Sequence, residues 1–92
     1  MAIIKVPSQL RPQTNGSDSV TVKGSNVGEA VKNLVDQFPA LKDRIYDENG
    51  TVRRYVNIYL GGEDIRFLEN LDTIVSNETE LALIPAIAGG IF

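Results

Sequence analysis

The residues able to do chemistry in this 92-residue sequence are defined first by two absences, since it contains no histidine and no cysteine. Without histidine, no side chain has an unperturbed pKa between about 5 and 8, and the commonest metal ligand is missing. Without cysteine there is no thiolate nucleophile, no disulfide framework and no zinc ribbon. Carboxylates, lysines, arginines, hydroxyls and tyrosines remain. The pairs Asp47-Glu48 and Glu63-Asp64 adjoin an Asn-Gly and a Gly-Gly turn. Acidic residues are well solvated at such turns, so neither pair implies acid–base or metal work. Arg11, Arg53 and Arg54 read as solvated charges, and no metal or cofactor is expected.

Two features invite a functional reading. Tyr55, Asn57 and Tyr59 alternate with Val56, Ile58 and Leu60. The alternation turns the tyrosines away from the core, where with Lys5 they form a candidate docking surface for a partner protein. The other feature is Gly89-Gly90, preceded by Ala86, Ile87 and Ala88 and followed by Ile91 and Phe92. Two adjacent residues without Cβ let a backbone thread a narrow channel that any side chain would block. Such an arm suits entry into another protein's active site, with Ala88 and Gly89 giving clearance.

The elements that must position these residues are legible from periodicity. Residues 2–7 read as a strand ended by Pro7, and residues 10–17 as a loop in which Asn15 and Gly16 suit positive φ. Residues 19–23 alternate as a half-buried strand antiparallel to the first. Val27, Ala30, Val31, Leu34, Val35 and Phe38 make a continuous apolar stripe, predicting a helix over 27–38 with Asn26 as N-cap and Glu29 as the acidic half of a capping box. Pro39 stops it; a short helical turn over 41–45 and an Asp47–Gly50 turn follow. Strands are predicted over 55–60, over 64–67 after the Gly61-Gly62 turn, and over 80–84. The last is apolar enough to lie buried in mid-sheet. Phe38 and Phe67 are core candidates.

Length allows one small domain, burying roughly 60–65% of its unfolded surface. At 42% hydrophobic and 23% charged the composition is that of a folded protein. A net charge of −3 without a basic stripe argues against nucleic acid. No apolar run reaches the roughly 20 residues of a membrane span. No leader is visible at the N-terminus, so a cytosolic protein is expected. The expected architecture is an α+β roll, a mixed sheet of four to five strands with one main helix on one face. Its domain should span residues 1–88, with 89–92 as a flexible tail.

The strand–strand–helix–strand order, the closing run from Leu83 to Gly90 and the lack of catalytic side chains resemble the ubiquitin-like β-grasp sulfur carriers. These include the molybdopterin synthase small subunit and the thiamine-pathway carrier. Leu10-Arg11-Pro12, residues 55–59 and residues 63–67 look most like the branch serving cysteine biosynthesis. The resemblance implies chemistry at a main-chain carboxylate. An E1-like enzyme would adenylate Gly90 with ATP and convert it to a thiocarboxylate. A pyridoxal-phosphate-dependent sulfhydrylase would then take the sulfur.

Ile91 and Phe92 depart from that pattern, because they place Gly90 in a peptide bond. They fit a precursor extension removed at Gly90 by a JAMM-type zinc peptidase, a permanent extension of a binding module, or a remnant of expression cloning. Sulfur donation to molybdopterin or another cofactor, and a ubiquitin-like modifier or docking module without sulfur chemistry, stand as alternatives. In each the chain is a carrier or binder, not an enzyme.

Overall fold

The computed structural model describes residues 1–53 and 56–85; Arg54, Tyr55 and residues 86–92 lie outside the described residues. The strands are β1 (Ala2–Lys5), β2 (Ser19–Val22), β3 (Val56–Leu60), β4 (Glu63–Asp64) and β5 (Glu80–Pro85). The helices are α1 (Val27–Gln37) and a single turn, α2 (Lys42–Ile45). Short 3-10 segments at Ser8–Thr14, Pro39–Leu41, Ile65–Phe67 and Asn70–Asp72 connect them.

The five strands form one sheet in the order β2-β1-β5-β3-β4. Its centre is the parallel pair β1 and β5, in which Ile4 faces Leu81 and Lys5 faces Ala82. The other pairings are antiparallel. β5 therefore has a neighbour on each side, consistent with its apolar run, and the chain's first and last strands lie together in mid-sheet.

α1 covers one face. Val27, Ala30, Val31 and Leu34 are fully buried and join Ile4, Val22, Ile58, Leu81 and Leu83 in a single apolar core. The Asn26 side chain accepts the Glu29 N–H at 2.8 Å, satisfying a helix-end donor. Glu29 Oε1 in turn accepts from the N–H of Ser25 at 2.9 Å, one residue earlier than a reciprocal capping box requires. The helix ends at Gln37, and half-buried Phe38 is its C-cap. Just before α1 the backbone is pressed against it. A Cβ at Gly24 would lie 2.7 Å from the Ala30 nitrogen, closer than side-chain carbons approach backbone.

Three expectations need correction. Residues 10–17 are not simply a loop: Ser8–Thr14 is a 3-10 segment that buries Leu10 and Thr14. Pro12 favours this, because its fixed φ suits a tight helical turn as well as a bend. Asn15 and Gly16 do adopt positive φ, 56° and 84°. The strand expected over 64–67 stops at Asp64, whose carboxylate accepts the Arg66 N–H at 2.9 Å and starts the Ile65–Phe67 segment. In a strand, residues 65 and 67 would share a face. At three residues per turn they diverge, so Ile65 enters the core while Phe67, expected there, is 80% exposed.

Candidate functional site

The strand that leads to residue 86 is β5, one of the three inner strands of the sheet. Leu81 and Leu83 of β5 point into the core, and β5 pairs with β1 and β3 at once. Its last pairing sets Pro85 opposite Val56. The sequence-predicted residues Ala88, Gly89, Gly90, Ile91 and Phe92 lie outside the described residues, as does the boundary proposed at residue 88. What precedes them is a strand paired with β1 over residues 80–82 and with β3 over residues 81–85, so that β3 alone holds its end.

The sheet face away from α1 gathers the other candidates. Register places Ser19, Lys5, Ala82 and Tyr59 in one cross-strand row, through the pairings Lys5 with Ser19, Lys5 with Ala82, and Tyr59 with Ala82. Lys5 and Tyr59 thus flank Ala82, two strand spacings apart, or roughly 10 Å. Lys5 is exposed and Tyr59 half-buried, while Ile3 and 45%-exposed Ile84 add apolar surface to the same face. Tyr55 lies outside the described residues.

Arg66 was not singled out from the sequence, yet it organises one side of this face. Its Nη2 donates to Asp64 Oδ2 at 2.7 Å and to Asn57 Oδ1 at 2.6 Å, and its Nε faces both Asp64 oxygens at 3.2 and 3.3 Å. The fork fits the carboxylate geometry and holds the guanidinium planar against Asn57. The Asp-x-Arg spacing gave the only sequence signal, readable once Asp64 is known to begin a 3-10 turn.

Asp64 consequently departs from the solvated behaviour expected of it, being 8% exposed, whereas Glu63 is exposed. Asp64 is shielded largely by Arg66, itself 59% exposed, so the pair stays within reach of water and salt. Hydrogen bonds from the Arg66 side chain and backbone hold the Asp64 carboxyl below the usual carboxylate range. Asp64 raises the Arg66 guanidinium in return. A depressed folded-state pKa contributes stability that is present above the unfolded value and is lost as pH falls through the folded one. Arg66→Ala is expected to raise the Asp64 carboxyl toward its ordinary value and shrink that acid-side dependence. A carboxyl-carbon NMR titration reads the first and denaturation at several acid pH values the second; an unchanged Asp64 titration would contradict the coupling.

Arg11 and Arg53 are each tied to the backbone, while Arg54 lies outside the described residues. Arg11 Nε donates to the Val6 carbonyl at 3.2 Å and Arg53 Nε to the Asp43 carbonyl at 2.9 Å. Asp47 does serve its turn, its Oδ1 accepting from the backbone of Asn49 and Thr51. Among the described residues, no helix is long and apolar enough to cross a membrane.

A mixed five-stranded sheet with parallel terminal strands at its centre and one long helix across one face defines a ubiquitin-like β-grasp protein. Solved structures agree with that class. Over 98% of its length the chain superposes on the whole of a chain in the Amycolatopsis orientalis BexX/CysO complex, with a TM-score of 0.86 and 32% identity. The small archaeal modifier protein 1 of Methanosarcina acetivorans gives a TM-score of 0.88 at 27% identity, covering 97% of this chain and 95% of that one. Residues 4–90 match the ThiS family, and the chain belongs to it. It is also 34% identical to the sulfur carrier protein CysO of Mycobacterium tuberculosis over 89 residues, 95% of this chain and 96% of that protein.

Proposed function

We propose that this protein is a sulfur carrier whose working residue is Gly90, exposed by removal of Ile91 and Phe92. One observation carries the reading: the family match runs to residue 90 and leaves the final two residues beyond it. The near-complete similarity to a named sulfur carrier supports it.

The chemistry follows from the end group. A carboxylate is a poor acyl donor until it carries a good leaving group. An E1-like partner would have the freed Gly90 carboxylate attack the α-phosphorus of ATP, expelling pyrophosphate. Hydrosulfide delivered by a partner would then attack the acyl carbon and displace AMP, leaving a thiocarboxylate. In cysteine biosynthesis, the leading destination, a pyridoxal-phosphate-dependent sulfhydrylase would take that sulfur. The chain supplies a reachable glycine on a fixed base, and its lack of histidine and cysteine is no handicap, because the catalytic groups belong to partners. A JAMM-type zinc peptidase is the proposed processing enzyme. The row containing Lys5 and Tyr59, with Arg66 beside it, is the proposed docking face. Its half-buried tyrosine and exposed apolar residues have the character of an interface.

A second reading, a protein modifier joined through the same glycine to lysine, is favoured by the likeness to a small archaeal modifier protein. Intact-mass spectrometry of protein from its native cell separates the two. Sulfur carriage yields a chain ending at Gly90 with one oxygen replaced by sulfur; a modifier yields isopeptide adducts. A population that keeps Phe92 during active sulfur assimilation would sink the precursor reading.

A further inference from the structure

Beside the point where β5 ends there is an open cleft of about 320 Å³, between β3 and the Ile65–Phe67 and Asn70–Asp72 segments. Its apolar wall is built from Val52, Val56, Ile58, Ile65 and Leu71. Val56, Ile58 and Ile65 form a buried floor, while Leu71 is 37% exposed at the rim. The size is near the lower end of ligand pockets, roughly 300–1,000 Å³, and suits one or two apolar side chains. Arg53, Asp64, Arg66 and Asn70 complete the lining, so the cleft pairs an apolar floor with polar and charged groups at its edge.

We propose that Ile91 and Phe92 occupy this cleft in the same molecule, so that the extension holds Gly89 and Gly90 against the protein's own surface until it is removed. The inference rests on the reading of those two residues as a processing extension, and adds a regulatory role for them. Connectivity argues for this occupant first. Val56 is both a wall of the cleft and the register partner of Pro85, so residues 86–92 begin within one strand spacing of it. Those residues can reach roughly 23 Å at about 3.3 Å each, ample to cross β3 and turn back. Gly89-Gly90 gives the chain freedom to reverse just before the two bulky residues.

Composition argues the same way. Residues 86–92 read Ala-Ile-Ala-Gly-Gly-Ile-Phe, without a charged or hydrogen-bonding side chain. Burial in the cleft removes their apolar area from water. Tethering presents them at an effective concentration of order millimolar, which an apolar segment of a dilute partner does not match. Loss of Ile91 and Phe92 deletes both bulky anchors, and the freed Gly-Gly end then enters a partner's channel without first being pulled away.

The test compares methyl NMR spectra of the 92-residue chain, the chain ending at Gly90, Phe92→Asp and Leu71→Asp. The last alters only a partly exposed rim residue, so the fold should survive. Docking predicts ring-current shifts of the Val52, Ile58, Ile65 and Leu71 methyls in the full chain, unchanged on dilution and absent from the chain ending at Gly90 and from Phe92→Asp. It also predicts that carboxypeptidase removes Phe92 about tenfold more slowly from the full chain than from Leu71→Asp, since cleavage follows the undocked population. Methyl spectra identical with and without residues 91–92 would overturn the inference. So would shifts that disappear on dilution, which would mean a second copy's tail. These readings need no partner enzyme. A docked tail that cells never cleave would spare this inference and defeat the precursor reading, and a cleaved but undocked tail would do the reverse.

Discussion

In a chain ending at residue 90, Gly90→Val is expected to slow adenylation by about 100-fold or more while leaving the folded domain untouched. The valine Cβ and methyls would sit on the residue whose carboxylate must meet the α-phosphorus of ATP. A misplacement of about 1 Å at a reacting centre costs on the order of 100-fold in rate. Branching at Cβ also narrows the backbone conformations that a threading segment can use. The measurement is ATP–pyrophosphate exchange with a purified E1-like partner, beside a thermal melt of each protein. The melts should coincide, because Gly90 lies beyond β5 and outside the described core. Exchange within twofold of the parent would remove Gly90 from the proposed role. Loss of exchange with a lowered melting temperature would point to damage elsewhere.

Leu34→Ala should give the largest loss of stability of any single truncation to alanine in α1. Leu34 is fully buried in the middle of the helix's apolar stripe. Truncating a leucine at such a site removes apolar transfer energy and leaves a cavity, for a cost of about 3 kcal/mol within a range of roughly 2–5. In a domain of this size each kcal/mol moves the melting temperature by about 4–8 °C, so a fall of ~12–24 °C is expected. Phe67→Ala removes a larger side chain but should stay within about 0.5 kcal/mol of the parent, since Phe67 is exposed. Urea and thermal denaturation of the two variants tests the placement directly. Equal losses would mean that the Ile65–Phe67 segment turns its aromatic ring inward.

Phe67 also shows where reading the sequence alone goes astray. Residues 64–67 carry strand-compatible side chains, and nothing local says that Asp64 will cap a 3-10 turn. That outcome follows from the short β4 ending where the Asp64 carboxylate captures the Arg66 N–H. The 3-10 segment over Ser8–Thr14 escaped notice for a related reason. Its buried residues Leu10 and Thr14 are too few to establish a period. By contrast, α1 was legible nearly to the residue, because its stripe persists for three turns between a capping asparagine and a helix-stopping proline.

The sulfur-carrier assignment draws on local features in the same way. The missing histidine and cysteine, the Gly89-Gly90 pair and the two residues after it are properties of composition and order, and no folding is needed to see them. Alternation likewise assigns Tyr59 and Lys5 to faces, since strand geometry turns successive side chains to opposite sides.

Which strands lie side by side was decided only in three dimensions. Register brings Lys5 and Tyr59, far apart along the chain, to either side of Ala82. Arg66 bridges Asp64 and Asn57 only after the chain has turned at Gly61 and Gly62, both at positive φ, and again at Asp64. Helical and strand periods are set by each residue's own backbone, so they are written along the sequence. Pairing partners are chosen by whichever arrangement closes the apolar core beneath α1, and no single segment contains that choice.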